Sequence, residues 1–329
     1  MRKASGSLYG LAYGDSLGKP TEFMPYEEIV AAYGPGGPRE LSGDPALVTD
    51  DTQMMLAVGF SLLSPLADLE PVLRKAFVEW SVSPDNNRAP GMTCLRACAS
   101  LAEGRRWQEA SQIDSKGCGA NMRVTPLGVA PGLTEDDRAG GAQLQAGLTH
   151  GHPTALAASE LTALGVRWLM DGLDPEDLVP AMRDRCASQR TVYRSEWLGD
   201  LWQHSQAPSV EAFIARGWDE TDAALARVSA AVSRGSFAGD PCHATGAGWI
   251  AEEALATALY CYLISPEDPL AVVGRGACSS GDSDSIACLA GAFAGAALGM
   301  AAWPSSWASR IEYADRLHAL GTAWDDPAA

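Results

Sequence analysis

Basic residues are scarce in this chain and never cluster: 24 Lys and Arg stand against 41 Asp and Glu, a net charge of -17 over 329 residues. Non-specific attachment to nucleic acid or to an anionic membrane needs Lys/Arg patches, so both are disfavoured. A small anionic ligand stays compatible, because backbone N–H groups or a metal ion can hold phosphate locally. Cysteine pairs are missing too. The eight Cys, at 94, 98, 118, 186, 242, 261, 278 and 288, form no C-x-x-C, and the five His, at 150, 152, 204, 243 and 318, build no zinc pattern. Most of these thiols sit in Ala-rich, helix-like surroundings, where free Cys acts as a small hydrophobe. No signal-peptide core follows Met1-Arg2-Lys3-Ala4, so a reducing, cytoplasmic home is expected.

Strand patterns are also lacking. β-branched residues are sparse and Ala dominates, no linker-like shift in composition divides the chain, and no solenoid period repeats. The expectation is an all-α fold, one compact many-helix domain over residues 1–329, with 325–329 as a frayed tail. Hydrophobic residues at 47% and charged ones at 20% suit a folded chain with a sizeable core. Helices are expected over 6–17, from the acidic motif at Thr49 to about Ser64, from Pro71 to Trp80, and over 155–170, 174–187, 209–215, 221–232, 250–264 and 312–320. Within 250–264, Leu255, Leu259 and Tyr262 share a core face. The uncharged stretch 286–303 has the length of a membrane span, but it is mostly Ala and Gly, whose transfer energies are weak. It reads as a buried helix of a protein without a membrane anchor. Gly291, Gly295 and Gly299 recur every four residues there, as do Gly10, Gly14 and Gly18 near the start, giving smooth stripes where other helices can approach closely.

What the chain does have is a pair of acid-rich helix entrances. Thr49-Asp50-Asp51-Thr52 leads into the apolar run Met54 to Val58, and Gly281-Asp282-Ser283-Asp284-Ser285 leads into 286–303. Acids at a helix start favour the positive end of its dipole. Adjacent acids also repel, and a buried group of them needs a proton or a cation. Oxygen-only ligands suit a hard ion such as Mg²⁺. If the two entrances face one another, Asp50, Asp51, Asp282 and Asp284 with the hydroxyls of Thr49 and Ser285 make a shell for two ions. Asp15 reads as a group satisfying nearby backbone, and Glu22 as a solvated loop carboxylate. Lys116 to Arg123 is Gly-rich without a Walker ending, either an ordinary turn or a backbone cradle for phosphate. His150 closes one helix pattern, where it complements the dipole.

These motifs resemble the ADP-ribosylglycohydrolase family, which includes the dinitrogenase-reductase-activating glycohydrolases. The likeness is carried by Gly14-Asp15-Ser16-Leu17-Gly18 with Glu22-Phe23, Thr49 to Thr52, Asn121-Met122-Arg123 with Pro126-Leu127-Gly128, Thr149-His150, and Gly281 to Ala287 with Gly291 and Gly295. The resemblance implies an all-α fold with a two-metal centre, Mg²⁺ or else Mn²⁺, held by Thr49, Asp50, Asp51, Asp282, Asp284 and Ser285. Relatives more often carry Thr where this chain has Ser283 and Ser285; serine keeps the hydroxyl. Glu22 would transfer a proton or gate the site, with Asp50 and Asp51 as rival bases. Gly117, Gly119 and Asn121 would hold the ADP-ribose phosphates and distal ribose, with His150 and Trp249 against the ligand. The implied activity is hydrolysis at the anomeric carbon of ADP-ribose carried by a protein or a small-molecule conjugate. Arginine is the first acceptor to consider; serine, O-acetyl-ADP-ribose and nucleobase adducts are the alternatives, as is a non-catalytic ADP-ribose reader.

Overall fold

The computed structural model describes residues 1–235 and 238–326. Among them there is no strand, only isolated bridges between loops such as Gln112–His150 and Gly117–Ile250. The fold is all-α in a single domain, as the composition predicts.

Two helices form its axis. The opening helix Lys3–Gly18 is buried from Ala4 onward, and the helix Ser283–Leu298 is buried through Ala296. Helices apolar on every side belong at the centre of a protein, where neighbours cover them all round. The two run antiparallel with their small-residue stripes facing. A Cβ on Gly10 would lie 2.3 Å from the Gly291 carbonyl oxygen, one on Gly14 2.0 Å from that of Ala287, and one on Gly18 2.4 Å from Asp284 Cα. The backbones touch, and only Gly allows it. Polar cross-links fix the register: Ser7 Oγ donates to Ala292 O at 2.9 Å and Ser283 Oγ to Gly18 O at 3.1 Å. Helices Pro153–Asp171, Ala251–Leu263 and Pro269–Ala277 pack around Ser283–Leu298. Leu255, Leu259 and Tyr262 all face the core. No helix among the described residues is long and apolar enough to cross a membrane. All eight cysteines are free, and only Cys242 is partly exposed.

Three expectations need correction. The segments 209–215 and 221–232 are one helix, Val210–Ser233. Gly217 does not break it; the glycine lets Pro153 approach, since a Cβ there would lie 2.3 Å from the Pro153 carbonyl oxygen. Asp325, expected in a loose tail, ends the helix Ala314–Asp325 and accepts from the backbone N–H of Ala4 at 2.8 Å. It thereby satisfies orphan donors at the start of the opening helix; residues 327–329 lie outside the described residues. Three longer helices had no readable pattern, Tyr26–Tyr33, Met92–Ala102 and Pro269–Ala277, and the helix that ends before His150, Glu135–Gly147, had no readable start. Glu135–Gly147 is buried almost all round after Arg138, so no polar face marks its period.

Candidate active site

The first acidic entrance is built by a residue far from it. Thr49 caps the helix Asp50–Ser61, its hydroxyl accepting from Asp51 N at 3.3 Å. Asp15 of the opening helix, fully buried, accepts from Thr49 N at 2.9 Å and Thr52 N at 3.0 Å and from the Thr52 hydroxyl. Asp15 thus satisfies backbone, as its type suggests, and locks the acidic turn to the axis.

The second entrance is held from outside. Asp282 N donates to Ala247 O at 2.8 Å, and a Cβ on Gly281 would lie 1.8 Å from that oxygen, so this position takes only glycine. Buried Asp240 accepts from Cys242 N at 3.0 Å and from the Ser280 hydroxyl, clasping the turn that precedes Asp282. Ser283 points away from the cleft: its Oγ lies 3.0 Å from Thr21 Oγ1, besides its bond to Gly18 O.

Because the axis helices are antiparallel and in contact at Gly18 and Asp284, the two entrances meet. Asp284 is the hub. It accepts from Ser285 N at 3.0 Å, and carboxyl oxygens of Glu22, Asp282 and Asp284 lie within 4.8 Å of one another. Asp50 and Asp51 feel its charge directly. Burial first, and the Asp284 charge next, push Asp15 and Asp50 up to about 7 and Glu22 up to about 8. The same causes hold Asp51 and Asp282 well above the usual carboxylate range. Glu22 is therefore no solvated loop acid; it closes the acidic group from above. Among the described residues no Lys or Arg lines the cleft, and Asp51 Oδ2 is buried with no hydrogen-bond partner. Six like-charged groups with an orphaned oxygen among them fit a hard divalent cation, which would supply the missing charge where protons do not.

The acids floor a cleft of about 340 Å³. Its lining includes Glu22, Asp50, Asp51, Gly117, Gly119, His150, Trp249, Asp282, Asp284 and Ser285, ten of the twelve positions singled out in the sequence. Thr49 and Asn121 stand behind it. Thr49 Oγ1 accepts from Asp51 N in the cap, while Asn121 Nδ2 donates to Ala251 O at 3.2 Å and its Oδ1 is buried without a partner. The Gly117–Gly119 wall is pinned by Cys118 N to Trp249 O at 3.0 Å and Ala251 N to Lys116 O at 2.8 Å. At the mouth, Phe23 and Trp249 stack with centroids 5.5 Å apart and planes at 16°, and both are exposed. Phe23 adopts φ 66°, a conformation that bulky residues rarely hold, beside Glu22. The 89–94 segment supplies further lining, and Gly91 N donates to Asp50 Oδ2 at 3.3 Å. Nothing in its composition signals that role.

The profile of the ADP-ribosylglycohydrolase family matches residues 1–326. The chain belongs to the ADP-ribosylglycohydrolase family. It is 34% identical over 178 residues to the ADP-ribosyl-[dinitrogen reductase] glycohydrolase of Rhodospirillum rubrum, 52% of this chain and 58% of that one. Over nearly the full length it is 25% identical to the uncharacterized protein YegU of Escherichia coli (strain K12), with 95% and 92% covered. It is 27% identical to ADP-ribosylhydrolase ARH3 of Bos taurus, with 93% and 88% covered. A solved structure described as an ADP-ribosylglycohydrolase-related protein complex shares the fold, with a TM-score of 0.67 over 99% of this chain and 98% of that chain at 22% identity. Membership makes this ADP-ribosylglycohydrolase an enzyme of the glycosidic-bond hydrolase class.

Proposed function

We propose that this ADP-ribosylglycohydrolase removes ADP-ribose from modified protein arginine in a Mg²⁺-dependent reaction, cleaving the bond at the anomeric carbon of the distal ribose. The carrying observation is the convergence of Glu22, Asp50, Asp51, Asp282 and Asp284 on one cleft with no protein cation among them. Thr49, Asp50, Asp51, Asp282, Asp284 and Ser285 would hold two Mg²⁺ ions, or Mn²⁺. Bound there, the cations would supply Lewis-acid polarisation of the oxygen atoms they face. The chain's own groups do the rest. Gly117 and Gly119 expose backbone to the phosphates, because they carry no side chain between it and the cleft. Glu22, Asp50 or Asp51 takes the proton of the attacking water as the glycosidic bond breaks. The remaining carboxylates face the carbocation-like sugar of the transition state.

Arginine is favoured by the mouth of the cleft. An exposed pair of aromatic faces above an acidic floor suits a planar cation better than a serine hydroxyl. The Rhodospirillum rubrum relative is named for an ADP-ribosylated protein, and the Serratia proteamaculans relative, 27% identical over 181 residues, is named an ADP-ribosylarginine hydrolase. The test is release of ADP-ribose from matched arginine, serine, O-acetyl and nucleobase conjugates, with chelator and with restored Mg²⁺. Full activity in chelator would remove the metal-dependent reading. Faster turnover of the serine conjugate than of the arginine one would replace the acceptor.

A further inference from the structure

Behind the Gly117–Gly119 wall lies a buried cation that touches no carboxylate. Arg123 is fully buried, with Phe77 under its guanidinium at 4.4 Å. Its Nε donates to Gln145 Oε1 at 2.7 Å, its Nη2 to Gln145 O at 2.6 Å and Thr149 Oγ1 at 2.7 Å, and its Nη1 faces the sulfurs of Met54 and Cys94 at 3.5 Å. Arginine has donors and no acceptor, so Thr149 Oγ1 must accept in that bond. The hydroxyl hydrogen then has two places to go: His150 Nδ1 at 2.8 Å or Ala146 O at 3.4 Å. Ala146 O already accepts from Thr149 N at 3.1 Å and His150 N at 2.8 Å, which fills both its lone pairs. The hydrogen therefore points to Nδ1.

We infer that Arg123, acting through Thr149, holds His150 as the Nε2–H tautomer, so that Nε2 offers a fixed hydrogen-bond donor to an acceptor oxygen of the ligand. His150 lines the cleft, and Gly117 and Gly119 flank its Nε2: a Cβ on either would lie 3.2 or 3.4 Å from that atom. Burial and the Arg123 charge hold His150 well below its ordinary range, so the ring is neutral and one nitrogen carries the proton. Arg123 and Thr149 are positioning residues here. The ligand side of this inference rests on the function proposed above; the tautomer does not.

The experiment uses the full-length, ¹⁵N-histidine-labelled protein without ligand, read by long-range ¹H–¹⁵N correlation. The expected spectrum shows His150 protonated at Nε2. Thr149→Val, which keeps the shape and removes the hydroxyl, shifts the Nδ1 resonance because the bond it accepts is gone; Thr149→Ser leaves it in place. In a titration with ADP-ribose, Thr149→Val binds roughly tenfold more weakly while Thr149→Ser binds like the parent. An Nδ1–H tautomer in the parent protein, or an Nδ1 resonance indifferent to Thr149→Val, overturns the inference. Should Thr149→Val fail to fold, the parent spectrum still decides. Absence of ADP-ribose binding to a parent protein with the expected spectrum would strike the proposed function and leave the tautomer standing.

Discussion

The cleft has two walls that solve opposite problems. The acidic wall gathers Glu22, Asp50, Asp51, Asp282 and Asp284 with no counter-charge and an orphaned oxygen on Asp51. The wall opposite keeps a buried cation, Arg123, whose donors all meet neutral acceptors. The acidic wall is short of partners, whereas each nitrogen of Arg123 faces an acceptor. Polar groups left unsatisfied in a folded protein are held there against their own repulsion, which marks them as prepared for something that arrives later. A saturated network does the reverse and stiffens what it touches. The difference teaches that in this cleft the acidic side is built to receive and the Arg123 side to position, so substitutions on the two sides should move stability in opposite directions.

The sharpest attempt to break that contrast is Asp51→Asn. It removes the charge of a proposed metal ligand, so turnover of the arginine conjugate should fall roughly thousandfold or more, the scale of several kcal/mol of lost transition-state stabilisation. It also relieves like-charge repulsion, so the melting temperature in chelator at pH 8 should rise. A loss of activity accompanied by a lower melting temperature would mean that the acidic group is structural. Arg123→Met is the matching change opposite. It strands Gln145 Oε1 and the Gln145 carbonyl, and each buried group left unpaired costs about 1–3 kcal/mol. Denaturant unfolding should show a loss of about 3 kcal/mol or more, and a neutral outcome would dissolve the contrast.

The walls also differ in how much of them the sequence reveals. The acidic wall is legible because its chemistry is local: two short motifs carry acids, hydroxyls and a glycine at helix entrances, and the facing stripes at Gly10 to Gly18 and Gly291 to Gly299 hint at the contact that joins them. The opposite wall is assembled from long-range contacts. Nothing in Asn121-Met122-Arg123 says that the arginine turns inward and reaches Thr149, because burial of a lone cation depends on acceptors contributed by Gln145 and on the Phe77 ring. Asp15 was readable by type and not by partner. Asp325 reads as part of a loose tail for the same reason: a terminus looks loose until another helix arrives to use it.

The pH dependence tests the acidic wall as a whole. Asp15 and Asp50 stand at about 7 and Glu22 at about 8, above their values in the unfolded chain. Groups raised in this way hold protons when folded that the unfolded chain gives up, so their contribution is full below about pH 4 and is lost as pH rises through 7 to 8. Mg²⁺ held as proposed would compensate the charge that appears. The gain in melting temperature on adding Mg²⁺ should therefore grow from pH 5 to pH 8 and reach roughly 5 °C. A gain independent of pH would place cation binding elsewhere.

The smallest effect belongs to the mouth, which neither wall owns. Trp249 leans on Phe23 and is exposed, so Trp249→Ala removes little core and should scarcely change stability. If the aromatic pair holds a guanidinium, its loss removes binding that is equal in the ground and transition states. KM for the arginine conjugate should then rise roughly 2- to 5-fold with kcat unchanged, the size of an exposed cation–π contact. KM for a serine conjugate should not move, because that acceptor brings no cation to the rings. Equal effects on both conjugates would shift the aromatic pair from the acceptor to the ADP-ribose that they share, and acceptor choice would then have to be read from the acidic wall alone.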